Sequence, residues 1–84
     1  MEQLVYKRIV QGEHSSYAFL YYVVEKKEKY GIMVRSIRGD GKQRWATGNS
    51  WFRDYMECLR LLNRLFQYQV GPAGLEDAIK TLWK

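Results

Sequence analysis

Apolar residues follow a two-residue period in the first half of the chain, which predicts β-strands. Residues 4–9 place apolar and polar side chains on both faces of a predicted strand, which is typical of an edge strand with one partly solvent-exposed face. Residues 17–24 are apolar at both positions and rich in tyrosine and valine, so we expect a central strand covered on both faces. Residues 30–37 resume the alternation, and residues 43–47 give a short fourth strand.

The connections between these strands favour an antiparallel meander. Gly39-Asp40-Gly41 is the strongest hairpin signal, because glycine adopts positive φ without steric cost. Residues 11–16 are polar and residues 25–29 are charged, and both compositions are typical of loops. Each connection between the later strands is too short for a parallel crossover.

The period changes to that of an amphipathic helix over residues 51–67. The residues at helical spacing are Phe52, Tyr55, Met56, Leu59, Leu62 and Phe66, and the apolar face is widened by Cys58, Leu61 and Leu65. The predicted N-cap is Ser50 or Asn49. Gly71-Pro72 breaks the pattern, and residues 75–83 give a second, short amphipathic helix.

These elements predict an α+β fold, in which a four-stranded antiparallel meander is followed by two helices packed on one face. The 84 residues, 46% of them hydrophobic, can build one core and not two. We therefore expect a single domain over residues 1–84, with a β-sheet half at 1–48 and a helical half at 50–84. The composition excludes a disordered chain.

The sequence favours a cytoplasmic protein with no membrane partner. No apolar run approaches the roughly 18–20 residues that cross a bilayer. The start, Met1-Glu2-Gln3, lacks the basic and apolar regions of a signal peptide. Cys58 is the only cysteine, so no internal disulfide can form.

Positive charge suggests one class of partner. Fourteen Lys and Arg residues against nine Asp and Glu residues give a net charge of +5, which suits a nucleic-acid binder or an ordinary well-solvated domain. Residues 35–44 are the only locally dense basic stretch. On this predicted hairpin, basic side chains would bind the phosphates of a nucleic acid and an aromatic ring would stack on its bases. The residues are Arg35, Arg38, Lys42, Arg44 and Trp45.

Catalytic and metal-binding patterns are weak. His14, the only histidine, lies beside Ser15 and Ser16 in a polar loop that cannot hold the geometry of a catalytic triad. Cys58 is expected to be a small buried apolar residue. Gly39-Asp40-Gly41 lacks the Lys-Ser/Thr of a phosphate-binding loop, and the carboxylates do not alternate as in a calcium loop. We expect no enzymatic activity, no metal and no cofactor.

The apolar residues outnumber those that two short helices can cover. A surplus of this kind marks a surface for a partner or for a second copy, and aromatic residues, 15% of the chain, are typical anchors of interfaces. We predict a protein-interaction module that binds a protein partner or forms a homodimer, with Tyr17, Tyr21, Trp51 and Leu61 at the interface. Nucleic-acid binding through residues 35–44 is the alternative.

Four short motifs span most of residues 17–83: Tyr21-Tyr22-Val23-Val24, Tyr30-Gly31-Ile32-Met33-Val34, the leucine-rich residues 59–65, and Val-Gly-Pro-Ala-Gly-Leu-Glu-Asp at 70–77. Together they resemble a family of small proteins of unknown function from clostridia and related Gram-positive bacteria. The chain departs from that pattern at Lys80 and Thr81, where the family tends to carry a further acidic residue. The resemblance implies a bacterial cytosolic setting and no particular activity.

Overall fold

The computed structural model describes residues 1 to 83 and confirms the α+β class, with four strands followed by two α-helices. The strands are β1 (Glu2–Gln11), β2 (Ser16–Lys26), β3 (Lys29–Arg38) and β4 (Gln43–Thr47). They are followed by α1 (Tyr55–Gln67), a 3₁₀ turn (Pro72–Gly74) and α2 (Leu75–Leu82). Lys84, the last residue of the predicted helical half, lies outside the described residues.

The sheet is the predicted antiparallel meander, with strand order β1-β2-β3-β4. Directly opposed residues share a face, so Tyr6, Tyr21, Val34 and Ala46 form one row across all four strands. The register shifts once, at a bulge between Leu4 and Tyr6 in β1. Beyond it, every position of the sheet can be assigned to one of two faces from its register.

Two tight turns set this register. Lys27 and Glu28 join β2 to β3 with φ angles of 51° and 63°, the left-handed pair that a type I′ hairpin requires. Gly41, at φ 91°, closes the predicted β3–β4 hairpin, where the Arg38 amide donates to the Lys42 carbonyl oxygen at 2.8 Å.

Both helices pack on the face that carries Tyr21, which we call the inner face. Its core consists of Tyr21, Val23, Ile32 and Val34 from the sheet and Phe52, Cys58, Leu61, Leu62, Leu65, Leu75 and Ile79 from the helical half. Tyr21 is fully buried, its hydroxyl donates to the Val70 carbonyl oxygen at 3.0 Å, and its ring meets that of Phe66 edge-on. These contacts tie the chain between the helices to the middle of the sheet.

The opposite face, which we call the outer face, has neither helix against it. The apolar β2 residues on it are Ala18, Leu20, Tyr22 and Val24, and none of them belongs to the core or packs against it. β2 is therefore a central strand, as predicted. The expectation that both of its faces are covered is wrong, because both helices lie on the inner face.

α1 begins at Tyr55 rather than at residue 51. Phe52 is extended and exchanges two backbone hydrogen bonds with Tyr30, of 2.7 and 2.8 Å, so it prolongs the edge of the sheet beside β3. The cap is Asp54, whose carboxylate accepts from the Met56 amide at 2.9 Å. The predicted cap at Ser50 or Asn49 is wrong, because pairing with β3 keeps the next residues out of the helix.

The buried stripe of α1 is also rotated from the predicted one. Cys58, Leu61, Leu62 and Leu65 are fully buried, whereas Met56 is 55% exposed. With the helix starting at Tyr55, the residues expected to widen the apolar face form its centre.

Truncation of this stripe tests its position. We expect Leu62→Ala to lower the free energy of unfolding by about 2–5 kcal/mol, because it removes buried methyl groups and leaves a cavity. Met56→Ala should cost less than about 1 kcal/mol, as an exposed site does. Urea titration followed by circular dichroism measures both, and similar losses for the two variants would contradict the assignment.

The start of α1 is tested by removing one side-chain oxygen acceptor at a time. Asp54→Ala should cost about 0.5–2 kcal/mol of stability, since the Met56 amide then has no protein acceptor. Ser50→Ala is the matched control and should leave the thermal midpoint nearly unchanged. A larger loss for Ser50→Ala than for Asp54→Ala would place the cap where the sequence pattern put it.

Candidate functional site

The five basic and aromatic residues predicted on the hairpin do not form one surface. Arg35 and Trp45 are directly opposed on β3 and β4, on the outer face. Arg38 and Arg44 lie on the inner face, and Lys42 follows the turn between the strands. The hairpin that carries these five residues is present, and they are divided between its two sides because neighbouring positions along a strand point to opposite faces.

The outer face is a broad apolar surface. Its apolar residues on the strands are Leu4, Ile9, Ala18, Leu20, Tyr22, Val24, Met33, Ile37 and Trp45. Trp45 is 66% exposed and Ile9 59%. Side chains of neighbouring strands shield one another in the middle of the face, which leaves the residues of β2 and β3 partly buried.

Trp51 extends this surface from the chain after β4. Its indole ring lies against the backbone of Gly31, where an added Cβ would come within 2.9 Å of a ring carbon. Gly31 is opposite Val24 on the outer face, so the ring lies on that face beside Met33. A larger residue at position 31 would push the ring away from the sheet.

Charges on the outer face are mostly positive. Lys7 and Arg35 flank Leu20 in one row across the sheet, and Glu2 is the acidic residue of this face. The Arg35 Nε donates to the Gln43 Oε1 at 3.0 Å, a neutral acceptor that leaves the guanidinium charge uncompensated. The face therefore combines an apolar centre with uncompensated cations.

A cleft of about 620 Å³ lies on the inner face, where the 3₁₀ turn rather than α1 stands over the sheet. One wall is residues 71–74. The floor comes from Lys42 in the β3–β4 turn and from the ends of three strands, with Tyr17, Phe19, Ser36, Arg38, Gln43 and Arg44. The wall stands close to the floor, since a Cβ on Gly71 would be 3.1 Å from the Phe19 ring. We call this the inner cleft.

The rim of the inner cleft is organised by one ion pair. Asp40 accepts from the Arg38 guanidinium, with 3.0 Å between Nε and Oδ1, and from the Lys42 amide at 3.1 Å. The hydrogen bonds from Arg38 and from the Lys42 amide lower the pKa of Asp40 to about 2, so it stays charged and holds Arg38 at the rim.

The floor of the inner cleft is electropositive. Hydrogen bonding with the Ser15 side chain is the largest effect that lowers the pKa of Tyr17, and Arg38 and Arg44 lower it further. Arg8, next to Phe19 on β1, is outside the lining of the cleft: its guanidinium lies 4.2 Å from the centre of the Phe66 ring, and its Nε is buried without a hydrogen-bond partner.

The four residues predicted at a protein interface are separated by the fold. Trp51 is on the outer face, and Tyr17 lines the inner cleft. Tyr21 and Leu61 are both fully buried in the core between sheet and helices, so neither offers side-chain surface to a partner, and this part of the prediction is wrong. Burial is the physical reason: both belong to the contact that holds the domain together.

The two residues considered for catalysis, His14 and Cys58, lie apart: His14 is in an exposed loop and Cys58 is in the core. The His14 side chain is 92% exposed in the β1–β2 loop. Cys58 is fully buried, and its thiol donates to the Gly31 carbonyl oxygen at 3.5 Å. Among residues 1 to 83, no group of three or more His, Cys, Asp or Glu side chains is placed to hold a metal ion. None of the helices in this range is long and apolar enough to span a membrane.

Sequence reasoning missed the residues that define each surface. Leu20 and Met33 mark the outer face, and the apolar run of β2 signalled an apolar face but did not show that it is open. Residues 71–74 form the wall of the inner cleft, but in the sequence they indicate only a break between two helices. The wall packs on Phe19, which is distant in sequence, so no local sequence pattern predicts this contact.

Comparison with known proteins adds no relative: no protein-family model, curated protein or solved structure matches this chain. The resemblance to a clostridial family stays a prediction from short motifs.

Burial of two titratable side chains predicts a loss of stability in alkali. Burial raises the pKa of Cys58 to about 11 and that of Tyr21 to about 12, from 9.0 and 10.0. The unfolded chain ionises these groups first and binds fewer protons, so stability falls as the pH rises from about 9 through about 12, by up to roughly 1.4 kcal/mol per pH unit and group.

Urea titrations over this pH range measure that slope. Cys58→Ala should flatten its lower part, and Tyr21→Phe its upper part, although Tyr21→Phe also removes the hydrogen bond to Val70. Met56→Ala, at an exposed side chain that does not titrate, is the control and should not change the slope. Equal slopes in the wild type and Cys58→Ala would show that the thiol ionises as freely in the folded protein as in the unfolded chain.

Proposed function

We propose that this protein acts by binding, not by catalysis, and that the outer face of its sheet recognises a protein partner. The observation that carries the proposal is the apolar outer face, which holds Leu20, Tyr22, Met33 and Trp51 and receives no packing from either helix. Contiguous apolar surface of this size, with charges around it, is typical of interfaces.

The dimensions of the face support a stable complex. β2 and β3 contain 11 and 10 residues, and at about 3.3 Å per residue they extend over about 36 and 33 Å. With strands spaced by about 4.8 Å, the three long strands and the five residues of β4 give an area of roughly 550 Å². Stable interfaces bury about 800 Å² on each partner, so a partner that covers this face and its rim reaches that size.

Charge favours an acidic partner over a second copy. Lys7 and Arg35 flank the apolar centre, Lys26 and Lys29 stand at one end, and Glu2 is the single carboxylate on the strands of this face. Two copies packed face to face would bring these cations together, which opposes association. A partner with apolar side chains bordered by Asp or Glu would complement both features.

Selection from a random peptide library against the immobilised protein tests this function. We expect enriched peptides to combine aliphatic or aromatic residues with Asp or Glu, and their binding to weaken as salt is raised. Leu20→Asp should abolish binding, because it places a charge in the centre of the face. Met56→Asp, on the exposed side of α1, is the matched control and should bind normally.

A charge reversal sharpens the test. Arg35→Glu should weaken the enrichment of acidic residues in the selected peptides while the apolar residues remain, because Lys7, Lys26 and Lys29 still outnumber the carboxylates of the face. Peptides without acidic enrichment, or with equal affinity for Leu20→Asp, would contradict the proposal. A dimer in sedimentation equilibrium that strengthens with salt and is lost in Leu20→Asp would assign the face to a second copy instead.

A further inference from the structure

We propose that the inner cleft is a second binding site, which takes a nucleotide unit with its phosphate at Arg44, Lys42 and Arg38 and its base against Tyr17. The site uses the opposite side of the sheet from the proposed protein-binding face, and neither proposal depends on the other.

The size and shape of the inner cleft fit such a ligand. Its volume of about 620 Å³ lies within the roughly 300–1,000 Å³ of small-molecule sites. The wall at residues 71–74 is held in place by the hydrogen bond from Tyr21 to Val70 and by the packing of Gly71 on Phe19. The wall of the cleft is therefore anchored to the core through Val70 and Phe19.

The cations of the inner cleft converge from three positions. Arg38 ends β3, Lys42 follows the turn, and Arg44 points inward from β4, while no acidic residue lines the cleft. Asp40 engages Arg38 from the turn, and Arg44 forms no ion pair with any residue from 1 to 83. A phosphate can take bidentate hydrogen bonds from Arg44 and further charge from Lys42.

The aromatic side chains supply the second half of the recognition. The rings of Tyr17 and Phe19 have centroids 6.4 Å apart and are tilted by 51°, and both line the cleft beside the cations. A base can lie on the Tyr17 ring, with Pro72 on the facing wall. Ser36, buried on the floor, adds a hydroxyl that can donate to or accept from the base.

A nucleotide is favoured over an acidic peptide by this combination. Carboxylates would satisfy the cations, but they bring no planar ring for Tyr17. The same nucleotide chemistry can come from a free mononucleotide or from one residue of a single strand. The cleft holds one unit, so these two sources differ in affinity and in salt dependence rather than in the residues that bind them.

Titration of the isotopically labelled protein with adenosine monophosphate and with a short oligothymidylate, followed by NMR, tests the site. We expect the amide resonances of Gly71 and Gly74 to shift. Arg44→Glu should lower affinity roughly ten- to hundredfold, the range for a lost charged hydrogen bond. Arg60→Glu, an equal charge change on the exposed side of α1, is the control and should change affinity less than about twofold for the mononucleotide.

The base contact is tested at Tyr17. Tyr17→Ala should weaken binding roughly five- to hundredfold, the range for a lost stacking platform, and Tyr17→Phe should restore it. Asp40→Asn should tighten binding, since it releases Arg38 toward the phosphate. Inorganic phosphate that binds as tightly as adenosine monophosphate would overturn the base contact and with it the proposal.

The salt dependence separates the two sources. Oligothymidylate much tighter than the mononucleotide, with a slope of log K against log salt steeper than the about −0.7 that one neutralised phosphate gives, would support a strand as the source, because neighbouring phosphates then add to the one in the cleft. Similar affinities for the two would support a free nucleotide. Absence of shifts at Gly71 and Gly74 at low salt, or equal losses in Arg44→Glu and Arg60→Glu, would overturn the site, as would a loss confined to Arg35→Glu on the outer face.

Discussion

The rest of this structure depends on a mismatch in size between the sheet and the helices that cover it. α1 has 13 residues and extends over about 20 Å, whereas β2 has 11 residues and extends over about 36 Å. α1 and the shorter α2 both lie on the inner face, so the outer face receives no helix. Even on the inner face, the ends of β2 and β3 near Tyr17 and Arg38 extend past α1. Both candidate surfaces arise from this mismatch.

Tyr21 connects that constraint to the inner cleft. Its ring fills the centre of the core, where only an apolar group is stable, and its hydroxyl needs a partner because an unpaired buried donor is costly. The partner is the Val70 carbonyl oxygen, which fixes the chain just before Gly71. Since Gly71 then packs on Phe19, the hydrogen bond that completes the core also sets the width of the cleft.

Most of the fold could be predicted because its determinants are local. The two-residue period, the Gly39-Asp40-Gly41 turn and the helical spacing after residue 55 each act within a few positions. The start of α1 could not be predicted, because Phe52 is kept extended by pairing with Tyr30, which is distant in sequence. The division of the basic hairpin was within reach, since strand periodicity alone places Arg35 and Arg38 on opposite faces of β3, and Arg44 and Trp45 on opposite faces of β4.

The two surfaces differ in shape more than in charge, and shape determines what each can recognise. The outer face is open, so water reaches its cations, and a flexible anion gains little from Lys7 or Arg35 there. A large partner gains from it because it covers Leu20 and excludes water over the whole area. In the inner cleft, the floor that carries Arg44 and Tyr17 faces the wall at 71–74, and a ligand enclosed between them would make its charged hydrogen bonds with less competition from water. One basic hairpin can therefore serve two ligands of different size.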